Sequence, residues 1–331
     1  MDNKNEIDKK GFIESPIDKN LDLASEIRKM CKEKNAIILA HYYVDGEIQD
    51  VADYVGDSLG LSQEAAKTDA DIIAFAGVHF MAETAKVLSP EKKILIPDLF
   101  SGCPMADSMP AAAFKEFLKD YPDHIVVTYV NTTAEIKALS DITCTSSNAV
   151  QIIESLPEDQ KIIFGPDKNL GGYINDVTGR QMVLWQGVCP VHDNFSAERL
   201  RMLKNDYPDA KVLVHPESNK DVLLLADMIG STAGILKYTQ NNDYKEFIVA
   251  TEPGILHKMK QANPNKVYIP LPPKNPKLEM SICRNMKKHS LEKLYNALKY
   301  EQPEVLMSNE LIQKAKRPIE RMLSISEKLG L

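Results

Sequence analysis

Apolar and polar positions along this chain alternate in blocks that read as short strands and helices taken in turn. AKVLVHPE at 210–217 reads as a strand, SNKDVLLLAD as a helix, MIGS as a short strand and TAGILKYTQNN as a helix. EFIVATE, GILHKMKQANP and KVYIPLPP then give strand, helix, strand. Short strands joined through helices imply right-handed crossovers and a parallel sheet covered on both faces.

The same block occurs three times. KDYPDHIVVTYVN (119–131) and NDYPDAKVLVHPE (205–217) share Tyr-Pro-Asp, an apolar run and a closing polar pair, and KEKNAIILAHYY (32–43) keeps the run without the proline. Seventeen residues after His41, Tyr129 and His215 stand the hydroxyl residues Ser58, Ser146 and Thr232. Five residues before each hydroxyl is an aspartate, Asp53, Asp141 or Asp227. Each copy then reaches one cysteine, 45, 43 and 51 residues past its hydroxyl, at Cys103, Cys189 and Cys283. A single large doubly wound sheet would not make these landmarks recur in threes. The expected class is therefore α/β, with three similar three-layer αβα domains and short parallel sheets around a pseudo-threefold axis. The domains fall at 20–106, 107–193 and 194–283, after a polar, mobile segment 1–19 and before a helical segment 284–331 that packs back on the body.

Ligands of open parallel sheets bind beyond the carboxyl ends of the strands. There stand the pairs His41-x-Tyr43, Tyr129-x-Asn131 and His215-x-Glu217, whose period-2 spacing sends both members to one side. The hydroxyls open helices and read as N-caps, where free N–H groups suit a carboxylate or phosphate. The three aspartates read as turn or helix-end residues that fix the chain. The cysteines follow the fourth strands, so three thiols can meet at the axis. Three thiolates are one short of a closed zinc site or a fully ligated cluster, and a 4Fe-4S cluster held by three leaves one iron open as a Lewis acid.

The remaining chemistry changes this picture little. The 331 residues carry 40 Lys+Arg against 47 Asp+Glu, and no dense basic stripe points to nucleic acid. No apolar run approaches the ~20 residues of a membrane span, and the N-terminus has no secretory apolar region, so a cytoplasmic protein is expected. Five cysteines without C-x-x-C spacing argue against a disulfide framework. Cys31 and Cys144 read as core residues. His79, His124, His192, His257 and His289 break the register and stay unassigned, although His192 lies three residues from Cys189. KMKQANPNK and RNMKKHS read as solvated basic faces. Neither G-x-G-x-x-G nor G-x-x-x-x-G-K-[ST] occurs.

AHYYVDGEIQDVADYVGDSL, PDLFSGCPMAD, VTYVNTTAEIKALSDITCTSSNA, WQGVCPVHD, VLVHPES, ADMIGSTAGI and CRNMKKHSLEKLYNAL together resemble the quinolinate synthases, iron-sulfur enzymes of de novo NAD biosynthesis, over about residues 20–300. The resemblance implies three α/β domains about a pseudo-threefold axis and one 4Fe-4S cluster on Cys103, Cys189 and Cys283. It implies substrate contacts at His41, Ser58, Tyr129, Val130, Asn131, Ser146, His215, Pro216, Glu217 and Thr232. The implied reaction condenses iminoaspartate with dihydroxyacetone phosphate to quinolinate, releasing phosphate and two waters. Proton relay is expected of Tyr43 and Glu217, with His41 and His215 on carboxylate or phosphate oxygens and His215 counted among the catalytic groups. Transient contact with the enzyme that supplies iminoaspartate is the implied protein partnership, with neither nucleic acid nor membrane. One departure is Val44, standing where many relatives carry glutamine, since valine makes no polar contact.

Three other readings compete. An iron-sulfur hydro-lyase of another small anion would need no second substrate. A non-catalytic cluster sensor would need no ring of polar pairs, and a zinc enzyme with three thiolates would carry no iron.

Overall fold

The computed structural model describes residues 3–331. The chain packs as two compact units. Unit 1 holds the chain up to Cys103 with Thr133–Ala138 and Arg284–Lys316, and unit 2 holds Pro104–Thr132, Leu139–Cys283 and Arg317–Leu331.

Unit 1 contains one four-stranded sheet of β1 (Ala36–His41), β2 (Tyr54–Gly56), β3 (Ile72–Ala76) and β4 (Lys93–Leu95). Unit 2 contains two. One is built from β5 (Ile125–Tyr129), β6 (Ile142–Cys144), β7 (Ile162–Gly165) and β8 (Val183–Leu184). The other is built from β9 (Lys211–Val214), β10 (Met228–Ile229), β11 (Glu246–Ala250) and β12 (Val267–Pro270). Every pairing is parallel, and each sheet runs second, first, third, fourth strand. Helices flank the sheets, so the expected three αβα layers are present. Strands such as β3, IIAFA, are buried along their whole length, as a sheet covered on both faces requires. In this order the connections leaving the first and third strands run in opposite directions. The crevice between their carboxyl ends is therefore the binding position of each sheet.

The three register aspartates have one job. Asp53 Oδ2 accepts from Ile38 N at 2.7 Å, Asp141 Oδ2 from Val126 N at 2.8 Å, and Asp227 Oδ2 from Val212 N at 2.7 Å. The aspartate N–H donates back to the same strand residue at 3.0, 2.9 and 2.9 Å. Each carboxylate thus satisfies a first-strand donor that lies ahead of the point where the second strand begins to pair. Asp141→Ala is expected to cost about 1–3 kcal/mol, read as a lowered denaturant midpoint, with whatever activity the folded protein has unchanged. A catalytic aspartate would show the reverse.

The N-terminal segment belongs to unit 1, and its Met1 and Asp2 lie outside the described residues. After the helix Asn3–Lys10, Gly11 turns at φ +83° where a Cβ would meet the Phe100 ring at 2.8 Å. Ile13 is buried, its carbonyl accepts from Asn296 Nδ2 at 3.1 Å, and Ser15 Oγ lies 2.8 Å from Tyr300 Oη. A few apolar side chains and backbone bonds anchor a segment whose composition alone reads as solvated. Among the described residues no helix is long and apolar enough to cross a membrane.

Candidate active site

Unit 2 gathers its polar residues around Glu217. β9 ends at Val214, and His215, Pro216 and Glu217 lie in the turn beyond it. Period-2 strand geometry therefore does not place this pair. Instead Glu217 N–H folds back to donate to His215 Nδ1 at 3.4 Å, which assigns the ring proton to Nε2, 3.2 Å from Ser146 Oγ. The Glu217 carboxylate accepts from Tyr129 Oη at 2.5 Å through Oε1 and lies 2.9 Å from His192 Nδ1 through Oε2. His192 and His215 stack with ring centroids 4.4 Å apart. Burial would raise the Glu217 carboxyl, but the His215 and His192 imidazoles and the bonds from His192 and Tyr129 overcome it and hold the group well below the usual carboxylate range. Asp167 goes the other way. Burial, then the Glu217 charge, pushes it well up, against the backbone N–H groups of Leu170 and Cys189 that pull it down.

Asn131 offers a further polar atom. Its Oδ1 is buried and has no hydrogen-bond partner among the described residues, an acceptor facing an unmet need.

In unit 1 the same turn recurs. β1 ends at His41, and Tyr43 N–H donates to His41 Nδ1 at 3.2 Å, with the two rings edge-on at 4.4 Å. Lys287 Nζ donates to the Tyr43 carbonyl at 2.8 Å and pairs with Asp45 at 3.2 Å. RNMKKHS is therefore not a solvated face: Lys287 and the buried His289 both turn inward, because each finds a backbone carbonyl, Tyr43 and Gly77, to bond.

The three hydroxyls are not the caps. Asp57 caps the helix Ser58–Lys67 by accepting from Gly60 N, and Ser231 caps Thr232–Gln240 by accepting from Gly234 N. Asn148 takes the cap position of Ala149–Glu154. Ser58 and Thr232 sit one position inside, at first helical residues, and Ser146 stands before its cap. The residue preceding each hydroxyl is the better acceptor in the two longer helices, which releases the hydroxyl from capping.

Cys103, Cys189 and Cys283 stand outside any disulfide and are half-buried, whereas Cys31 and Cys144 are buried. Burial pushes the Cys31 thiol to about 12 and the Cys144 thiol higher, so both read as inert. Cys189 N–H donates to Asp167 at 2.9 Å, and Cys189 Sγ lies 3.2 Å from His192 Nδ1. Cys283 N–H donates to Glu252 at 3.3 Å, and Ser281 Oγ ties its loop to Val191 O at 2.8 Å. In unit 1, Cys103 lies within electrostatic reach of Lys137, a fully buried amine 5.4 Å over the Phe80 ring. Burial lowers Lys137 to about 8, against the pull of Glu83 and Cys103.

Sequence reasoning missed His192, Thr251, Glu252 and Asp167. His192 Nε2 lies 3.0 Å from Thr251 Oγ1. Asp167 follows β7, and Thr251 and Glu252 follow β11, both third strands. The signal lay in the topology: with strand order 2-1-3-4 the third strand forms the second wall of the crevice, so its carboxyl end deserved the same search as the first.

Residues 25–324 match the family model described as Quinolinate synthetase A protein. The chain is 56% identical over 305 residues to the quinolinate synthase of Synechocystis sp., covering 92% of this chain and 96% of that one. It is 55% identical over 306 residues to that of Thermosynechococcus vestitus, covering 92% and 96%. It is 54% identical over 307 residues to that of Chloroherpeton thalassium, covering 93% and 95%.

Proposed function

We propose, from the membership of this chain in the quinolinate synthetase A family, that it condenses iminoaspartate with dihydroxyacetone phosphate to quinolinate, releasing phosphate and two waters. The observation that carries the reading is Glu217, an ionised carboxylate buried among a tyrosine and two histidines that orient it. Joining two small anions and removing two hydroxyl groups requires repeated proton transfer away from bulk water, and a sealed carboxylate in hydrogen-bond contact with a tyrosine and a histidine is placed to relay those protons.

The donor set fits a 4Fe-4S cluster. Three half-buried cysteines outside any disulfide contrast with two sealed ones, and the proposed ligands Cys103, Cys189 and Cys283 are those three. With three thiolates the cluster would keep one iron open, a Lewis acid for a substrate oxygen or nitrogen and for a departing hydroxyl. The protein's own groups do the rest. Glu217 Oε1 takes a substrate proton and Tyr129 Oη, already donating to it, stabilises the carboxylate between transfers. Tyr43 supplies the second acid–base group. His215, whose Nε2 carries the ring proton, and His41, fixed in the same tautomer, donate to carboxylate or phosphate oxygens. Ser146, Ser58 and Thr232 receive the anionic ends beside helix starts, and Asn131 Oδ1 accepts from a substrate hydroxyl or amine. Val130 and Pro216 line the substrate between their polar neighbours. The enzyme works in the cytoplasm, in transient contact with the enzyme that supplies iminoaspartate.

Anaerobic reconstitution with iron and sulfide tests this. About four irons per chain, and quinolinate from the two substrates, are expected. Cys103→Ser, Cys189→Ser and Cys283→Ser each lose both. Full iron content without quinolinate, or a cluster that survives any one of the three substitutions intact, overturns the reading.

A further inference from the structure

We propose that in the cluster-free chain Cys189, His192 and Glu217 bind a single zinc ion, so that zinc and cluster assembly compete for one sulfur. The competition rests on the functional reading above; the zinc site itself does not.

Cys189 Sγ, His192 Nδ1 and a Glu217 carboxylate oxygen all lie within 4.8 Å of one another. Zinc bonds of roughly 2.3 Å to sulfur and 2.0–2.2 Å to nitrogen and oxygen put tetrahedral donors about 3.3–3.6 Å apart. The present separations are 3.2 Å for Sγ–Nδ1 and 2.9 Å for Nδ1–Oε2, with sulfur and carboxylate within 4.8 Å, so small side-chain shifts bring all three donors to that spacing. Cys189-x-x-His192 supplies two donors from one turn, and Glu217 supplies the third from beyond β9. One sulfur, one imidazole and one carboxylate suit zinc rather than calcium or magnesium, which prefer oxygen alone. Three protein donors leave the fourth position to water.

Outer contacts are already built. Thr251 Oγ1 lies 3.0 Å from His192 Nε2, and Tyr129 Oη holds Glu217 Oε1, so the outer atoms of both ligands are engaged while Nδ1 and Oε2 meet each other beside Cys189. Such partners aim the ligands before the metal arrives, while Nδ1, which faces a carboxylate that only accepts, must give up its proton to bind the ion. On binding, the ring proton of His192 shifts from Nδ1 to Nε2, where it is donated to Thr251, and the thiol proton leaves to solvent. Half-buried Cys189 provides the entry, since His192 and Glu217 are sealed.

The test uses the full-length, reduced, iron-free chain titrated with Zn²⁺ by calorimetry, and with Co²⁺ for its thiolate-to-metal absorption. One ion per chain in a tetrahedral site is expected. His192→Ala and Glu217→Gln each weaken zinc by at least about 100-fold, and Thr251→Val, which removes only the outer contact, by about 10-fold or more. Cys103→Ser and Cys283→Ser leave zinc affinity within about threefold. Should any ligand variant misfold by circular dichroism, Thr251→Val and the Cys103 and Cys283 variants decide the matter. Zinc binding that survives His192→Ala but is lost in Cys103→Ser or Cys283→Ser overturns the site, as does no binding at micromolar zinc. Zinc-loaded protein given iron and sulfide should assemble clusters more slowly than metal-free protein; uptake of a full cluster with zinc retained overturns the competition. A chain that binds zinc through these residues yet never takes up iron sinks the cluster reading and leaves the zinc site standing.

Discussion

Replacing Glu217 with glutamine lowers kcat by about 10²–10⁴-fold while the iron content per chain stays at the parent level. The substitution keeps the shape and removes the proton acceptor. Tyr129 Oη and His192 Nδ1, both now directed at carboxylate oxygens, must share an amide that offers one oxygen and two N–H groups. One of the two contacts is therefore lost or reversed, and the loss falls at the atoms that would exchange protons with substrate. Because the carboxyl is held well below the usual range, it stays ionised over the working pH, and an acidic limb in kcat/KM belongs to another group. Steady-state rates beside iron analysis separate this outcome from a damaged cluster. A variant within tenfold of the parent kcat removes Glu217 from proton transfer.

The expectation for Glu217 came from the sequence, and so did much of the frame around it. Three strands ending in polar pairs, and aspartates in register, recur because each sheet needs the same first strand fixed in the same way; Asp53, Asp141 and Asp227 show this in identical bonds. What the sequence could not place was set by contacts between segments distant along the chain. Glu217 meets Tyr129 across 88 residues and His192 across 25, and no local pattern distinguishes His192 from a core histidine. The caps missed by one position, because Asp57 and Ser231 were each followed by another plausible capping residue, Ser58 and Thr232. The polar pairs were expected on extended strand, yet the backbone turns at once so that an N–H can satisfy the imidazole two residues earlier. That turn fixes the tautomer, and the tautomer decides which ring nitrogen can donate to an anion.

His289 makes unit 1 sensitive to mild acid. The side chain is buried and its Nε2 lies 2.8 Å from the Gly77 carbonyl, an acceptor only, so the neutral ring carries its proton there. Nδ1 is buried and has no partner among the described residues. Protonating it would place a cation with an unmet donor in the interior, and burial accordingly lowers the group from 6.5 to about 4, against the pull of the Gly77 carbonyl and Asp98. The unfolded chain takes up this proton near pH 6.5 and the folded one only near 4. Between those values the unfolded state binds more protons, so folding free energy falls as pH falls. The contribution is whole above pH 6.5 and gone by about pH 4, a loss on the order of 3 kcal/mol. His289→Gln keeps an N–H for Gly77 and has nothing to titrate. Its urea midpoint should lie below that of the parent at pH 7.5, from altered packing, and converge on or pass it by pH 4.5. Parallel midpoint curves for the two proteins across that range would mean that His289 is not the group responsible. Since this residue ties the segment beginning at Arg284 to the end of β3, amide exchange in that segment should rise first on acidification, ahead of the buried strands of the sheet.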